Sequence, residues 1–332
     1  MRRLVFALVV ACSGSTPSQM LPTDGPNGPN DGPVVPGDGM SRAEACMMYA
    51  TARCTQLQTC SAARLTRNFG DLGTCVTREA LECTKQLGAT DTGDTEATRI
   101  ACGSALAAET CAVFLGNSLP DACFAPGPNA GTCAFTDQCS TSYCAIGANS
   151  LCGVCQDTPV VGQSCAASSC GNTLVCDSTN NLCETAVGSG KACNPATPCD
   201  HALSCVGATT TQNGTCQPDV ATLGGACDST RKTRALCSAD AGLTCSTTTN
   251  QCVAQPLGSA GAACGIINGT DSECEGGGTC GTATSKCLAP AADGGACDTK
   301  NGPNCLFPAR CIPSAQGLTT GSCQILGTSP SC

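Results

Sequence analysis

Gly224-Gly225-Ala226-Cys227, followed by Cys237, Cys245 and Cys252, is the stretch that sets the architecture of the chain. The same frame, a glycine three residues before the first of four cysteines, recurs from Gly162, Gly190, Gly261 and Gly294, with a variant at Gly131. Cysteines fall at Cys133, Cys139, Cys144, Cys152 and Cys155, then at Cys165, Cys170, Cys176 and Cys183, then at Cys193, Cys199, Cys205 and Cys216. After the opening four come Cys264, Cys274, Cys280 and Cys287, then Cys297, Cys305, Cys311 and Cys323, and finally Cys332. First cysteines of successive frames are 28 to 37 residues apart, a period that marks a tandem array. The recurring glycine predicts a backbone conformation that other residues avoid. Leu174, Leu203 and Leu243 stand two before the third cysteine, and polar runs such as 177–181 and 246–250 separate third from fourth. This pattern predicts short β-hairpins with a cysteine on each arm. The loop from first to second cysteine varies most, from 166–169 to 228–236, and variable loops on a constant frame are where specificity sits.

Composition says why cysteine must carry the fold. The 332 residues include 35 Cys, no Trp, 2 Tyr and 6 Phe, so bulky aromatics cannot supply the core. Modules of about 30 residues bury too little apolar surface to offset chain entropy, and covalent staples are the usual remedy. A bridge closing a loop of ~15 residues contributes about 3 kcal/mol in the chain-entropy treatment. The expected fold class is therefore small and disulfide-rich. A net charge of −9, or −11 once Arg2 and Arg3 are removed with a leader, argues against nucleic acid as a partner.

Residues 1–12 read as a lipoprotein signal peptide. Arg2-Arg3 is a basic start, Leu4 to Ala11 is an apolar run too short to span a bilayer, and Val9-Val10-Ala11-Cys12 resembles a bacterial lipobox. On this reading Cys12 is lipidated and tethers the protein to a membrane. Setting Cys12 aside leaves 34 cysteines, enough for 17 bridges without a leftover thiol; the rival is an uncleaved leader. Arg2-Arg3 lacks the flanks of a twin-arginine export signal. Residues 13–40 are rich in Pro, Gly, Asp and Asn and form no core, so a disordered linker is expected there.

Residues 41–125 predict a helical domain with eight cysteines. Ser41-x-x-Glu44 is a capping-box pattern, and Cys46, Ala50, Cys54 and Leu57 follow at helical spacing. A second helix is expected over 72–87, with Val76, Ala80, Cys83 and Leu87 inward and Gly88 as its stop. A third begins near Asp94 as N-cap and carries Ile100, Ala101, Ala105 and Ala108. Cys46 and Cys54 are eight apart, as are Cys75 and Cys83, which places each pair on one helix face, about 12 Å apart. Two facing helices can then be stapled at two levels. Cys60, Cys102, Cys111 and Cys123 complete a set that can close internally.

The glycine before the first cysteine, the aromatic in Ser142-Tyr143-Cys144 and the close pair Cys152-Gly153-Val154-Cys155 carry a family resemblance. The array over 131–325 resembles the Dickkopf N-terminal cysteine-rich domain, and more closely the repeat lipoproteins of Gram-negative social bacteria that carry it. The resemblance implies an extracellular, disulfide-rich, non-enzymatic module. Six truncated units in tandem depart from a single Dickkopf module, so a Wnt-pathway role does not follow.

Chemical readings are weighed against structural ones. Cys152-x-x-Cys155 lacks the βαβ setting of a thioredoxin motif and reads as structural cystine. Cys155 and Cys332 stand outside the four-cysteine frame, so they either bridge to each other or cap the two ends of the array. Metal binding needs thiolates and usually histidine; His201 is the sole one, with no evident catalytic partner in sequence. No cofactor is expected. Asn213-Gly214-Thr215 and Asn268-Gly269-Thr270 match the glycosylation sequon and read as turns. The leading expectation is a secreted or outer-membrane, surface-anchored structural or adhesion module forming an extended stalk. The alternative is a protein- or glycan-binding, inhibitor-like module using the variable first loops. An enzyme housed in 41–125 is the weakest of the three.

Overall fold

The structure, a computed structural model, describes residues 40–116, 119–147, 150–165, 170, 174–177, 180–209, 211–327 and 332. The leader with Cys12, most of the linker and the 166–169 loop lie outside the described residues. Met40–Cys332 forms one compact unit. The fold is small and disulfide-rich: an N-terminal helical part, then modules of two- and three-stranded sheets, with seventeen disulfides among the described residues. Bridges form and persist in oxidising surroundings, which makes this a fold of the extracellular or secreted class. No described helix is long and apolar enough to cross a membrane.

The helical part opens with α1, Arg42–Cys60, whose Ser41 and Glu44 make the capping box reciprocally. Ser61 then turns the chain and caps α2, Ala62–Phe69. The helix α3 spans Leu72–Leu87, with Asp71 as its N-cap and Gly88 as its C-cap. Cys46–Cys83 and Cys54–Cys75 staple α1 to α3 at the two expected levels, with Cα separations of 5.5 and 6.0 Å. Cys60–Cys111 and Cys102–Cys123 close the set, the former onto α5, Cys111–Leu115. The core between these helices holds Leu57, Leu65, Phe69, Leu106, Phe114 and Leu115 around the cystines.

The helix α4, Glu96–Ala108, corrects two expectations. Its N-cap is Thr95, in a reciprocal box with Thr98, while Asp94 is buried and paired with Arg99. Its inward face is Arg99, Cys102, Gly103 and Leu106, whereas Ala101 and Ala108 are exposed. Cys102 must face Cys123, and that bond sets the rotation of the helix. Gly103 permits close approach to α1, because an added Cβ would lie 3.1 Å from the Cα of Tyr49.

Each module repeats one wiring. The six modules span 133–155, 165–183, 193–216, 227–252, 264–287 and 297–323, and in each the first cysteine bonds the third and the second bonds the fourth. Third and fourth cysteines face each other across the hairpin, as in Cys245↔Cys252 and Cys205↔Cys216, yet neither bonds its opposite number. The glycines three before the first cysteine all have positive φ, +76° at Gly224 and Gly190. Each donates its N–H to the carbonyl of its module's fourth cysteine, as Gly224 does to Cys252 at 2.7 Å and Gly294 to Cys323 at 2.8 Å. That fourth cysteine returns an N–H to the residue after the glycine, as Cys252 does to Gly225 at 2.8 Å.

The first module explains the irregular cysteine. Cys155 donates to Gly131 at 2.8 Å, the contact a fourth cysteine makes, and bonds Cys139. The extra cysteine is Cys152, which bonds Cys332 across a separation of 180 residues. Cys155 and Cys332 are therefore not partners, and Cys152 and Cys155 are not bonded to each other. Third-to-fourth spacings elsewhere run from 7 (Cys176 to Cys183) to 12 (Cys311 to Cys323), a range that admits either Cys152 or Cys155 as the fourth. Only the hairpin register, Cys144↔Cys155, decides between them.

The array is not an extended stalk. The final segment packs on the first module through Phe135, Ala134 and Leu326 with Cys332 alongside, so its two ends meet. Several modules also rest on the helical bundle. Phe307 meets Phe69 edge-on at 5.8 Å between ring centroids, and Arg78 donates to the Phe307 carbonyl and pairs with Asp293 at 2.6 Å. Gln138 donates to the Thr90 carbonyl at 2.7 Å.

Candidate functional site

The variable first loops of modules 4, 5 and 6, expected to be free, are largely spent on their neighbours. In module 4 the 228–236 loop places the Arg231 carbonyl 2.8 Å from the N–H of Gly207, in the hairpin turn of module 3. Asp228 accepts hydrogen bonds from Thr230 and Thr233, through hydroxyl and N–H of each, at 2.6 to 2.9 Å. These donors, the Thr230 hydroxyl first, hold its carboxyl well below the usual range. In module 6, Lys300, Asn301 and Thr319 lower Asp298 to about 2 by the same means, and Asn301 accepts from Thr282 of module 5 at 3.1 Å. In module 5 the carbonyl of Gly269 accepts the N–H of Thr247, in the turn of module 4, at 2.8 Å. Each of these loops clasps the hairpin turn of the module before it.

The loop of module 5 does more than clasp. It forms a hairpin, Gly265–Ile267 against Thr270–Cys274, turned by Asn268-Gly269 with φ of 50° and 78°. Both central residues lie at positive φ, as a two-residue hairpin turn of this hand requires, so this sequon is a turn. Ile266 is 69 % exposed and Ile267 also faces solvent. Behind them a cleft of about 410 Å³ opens between this hairpin and the end of α2, lined by Arg67, Asn68, Asp271, Glu273, Thr279 and Asn304, among others.

Local chemistry builds the cleft. The helix α2 ends with carbonyls that have no partner inside the helix. Gly276 and Gly277, at φ 65° and 75°, donate to the carbonyls of Thr66 and Arg67 at 2.9 and 2.7 Å, so module 5 caps the helix. Arg67 pairs with Glu273 at 2.5 Å and donates to the side chain of Gln255 at 2.7 Å. Among the described residues, the Asn68 amide, the Asp271 carboxylate and the Asn304 amide have no side-chain hydrogen bond or ion pair. The cleft therefore presents two amides and a carboxylate, bordered by a hairpin that carries two exposed isoleucines. It can accept and donate hydrogen bonds, and its guanidinium, Arg67, is already paired with Glu273.

The remaining predicted sites are placed as follows. Cys12 lies outside the described residues. The other 34 cysteines are all in disulfides. Triplets such as Cys227, Cys237 and Cys252 bring their sulfurs within 4.8 Å of one another. Crossed first-to-third and second-to-fourth bonds produce that convergence, and a cystine sulfur offers no thiolate to a metal. His201 has a carboxylate partner that sequence could not reveal: its Nε2 lies 2.9 Å from Asp240 Oδ2, between modules 3 and 4. The Ser61 hydroxyl nearby donates to the backbone carbonyl of Asp240 at 2.7 Å. The cleft itself was missed, because Asn68 and Asp271 are far apart in the chain and neither belongs to a motif. No family model, no curated protein and no solved structure matches this chain.

Proposed function

We propose that the protein is a surface-anchored, non-enzymatic adhesion module that binds an extracellular protein or glycan through the module 5 hairpin and the cleft behind it. In this reading Cys12 carries lipid in an outer membrane, the linker spaces the body from it, and the bundle and array form a rigid head. One observation carries the reading: the hairpin at 265–274 leaves apolar and polar groups unpartnered, while the corresponding loops of modules 4 and 6 are consumed by clasps. A head whose repeat array closes on itself is ill suited to be a spacer, since spacers gain reach from extension.

The experiment is a comparison of partner profiles on intact cells and with purified protein. Ile266→Asp with Asp271→Ala should abolish the profile, and Asp228→Ala in the module 4 loop should leave it in place. If both variants keep the wild-type profile, the hairpin is not the binding surface.

A further inference from the structure

We infer that Asp137, facing Asp94 across the joint of bundle and first module, holds a proton, and that losing this proton as pH rises loosens the module from the bundle.

The geometry carries this. Arg99, Asp94 and Asp137 are all buried, with relative exposures of 5 %, 8 % and 9 %. Both carboxylates converge on the same nitrogen of Arg99: Asp137 Oδ2 lies 2.5 Å from Nη2, and Asp94 Oδ2 also contacts it. Two acids share one guanidinium nitrogen, so full ionisation leaves uncompensated negative charge in a dry joint. A buried net charge is costly, and one proton removes it. Asp94 Oδ1 accepts from the Thr98 hydroxyl at 3.0 Å, while its Oδ2 meets Arg99. Burial and the facing Asp94 push the Asp137 carboxyl well up, against the pull of Arg99.

Other charged groups face the joint. The Tyr49 ring of α1 lies 5.5 Å from the Arg99 guanidinium carbon and is itself acid-weakened by burial. Arg53 of α1 is paired with Glu79 of α3 at 3.0 Å, and Glu82 of α3 lies within reach of Arg53, Arg99 and Arg310. These groups form a second network along α1 and α3. The joint proper belongs to Arg99 and the two aspartates, and beside it the N–H of Gly93 donates to the Asp137 carbonyl at 2.8 Å.

The sign follows from linkage. A carboxyl raised in the folded state binds more protons folded than unfolded above the ordinary carboxylate range. Its contribution is full in acid and is lost as pH rises through the raised value. The joint is thus tight near pH 5 and looser by pH 8.

Amide hydrogen exchange on the intact oxidised protein, corrected for the intrinsic rate, tests this at Gly93 and Gln138. Protection there should fall about tenfold per pH unit over part of the interval, while that of Cys252 in module 4 stays level. Asp94→Asn should keep acid-level protection throughout. Equal protection at both pH values in the wild type, or a pH dependence surviving in Asp94→Asn, overturns the inference. Should that variant not fold, Asp137→Asn and carboxyl ¹³C titration of the wild type decide. The Asp137 carboxyl must titrate well above the ordinary range, and an ordinary titration there refutes the inference.

Discussion

At the residue scale the repeating glycine and the buried acids set the constraints. Gly224 faces open space, so a methyl group there meets no atom and its cost is the backbone alone. Gly224→Ala should destabilise the oxidised protein by about 1–2 kcal/mol, the penalty of a left-handed conformation for an L-residue, read as a shift of the denaturant midpoint. Gly321 is a different case, since a Cβ there would run into the Ile312 backbone across the hairpin. Gly321→Ala should cost distinctly more than Gly224→Ala, because the sheet must open as well. An equal cost for both would show that register in module 6 is looser than the hydrogen bonds indicate. Glycine three before cysteine is a pattern visible in sequence, and its positive φ was legible there. Gly321 has no such signature, because its reason for being glycine is a strand lying opposite.

At the scale of elements, caps and clasps take over. The Ser41–Glu44 box begins α1, and Ser41→Ala should lower stability by about 1 kcal/mol, seen as fraying at the start of α1 in hydrogen exchange. Helices α1 and α3 could be expected from capping residues and eight-residue cysteine spacing, both local signals. The inward face of α4 could not, since its rotation follows from Cys123, a partner supplied by a non-helical segment. The clasps were equally hidden. A loop that varies in length looks like a binding loop in sequence, yet Thr247 and Thr282 show that such loops hold the preceding turn. Thr247→Val removes the hydroxyl that donates to the Gly269 carbonyl at 3.1 Å and keeps the N–H bond. It should cost less than about 1 kcal/mol, with the change in exchange confined to modules 4 and 5.

At the scale of the whole molecule the bond between Cys152 and Cys332 ties the first module to the last residue. A loop of 180 residues gives about 5 kcal/mol in the chain-entropy treatment. The other sixteen bridges already shorten that loop, so the replacement pair Cys152→Ser with Cys332→Ser should cost less. The double variant should stay folded, lose part of its thermal midpoint, and exchange faster around Phe135 and Leu326. A cost at or above 5 kcal/mol would mean that the closure organises the bundle as well as the ends.

What the sequence determined by itself is the covalent economy of this protein: cystine at the centre of the hairpin modules, a helical part stapled at two levels, and those modules in tandem. These follow from spacing and composition, which act over a few residues. Tertiary structure alone decided that Cys152 rather than Cys155 is the odd cysteine, that the array closes on itself, and that Asn68 and Asp271 meet at one cleft. Each depends on segments distant in the chain coming together, and no local preference encodes which of them will meet.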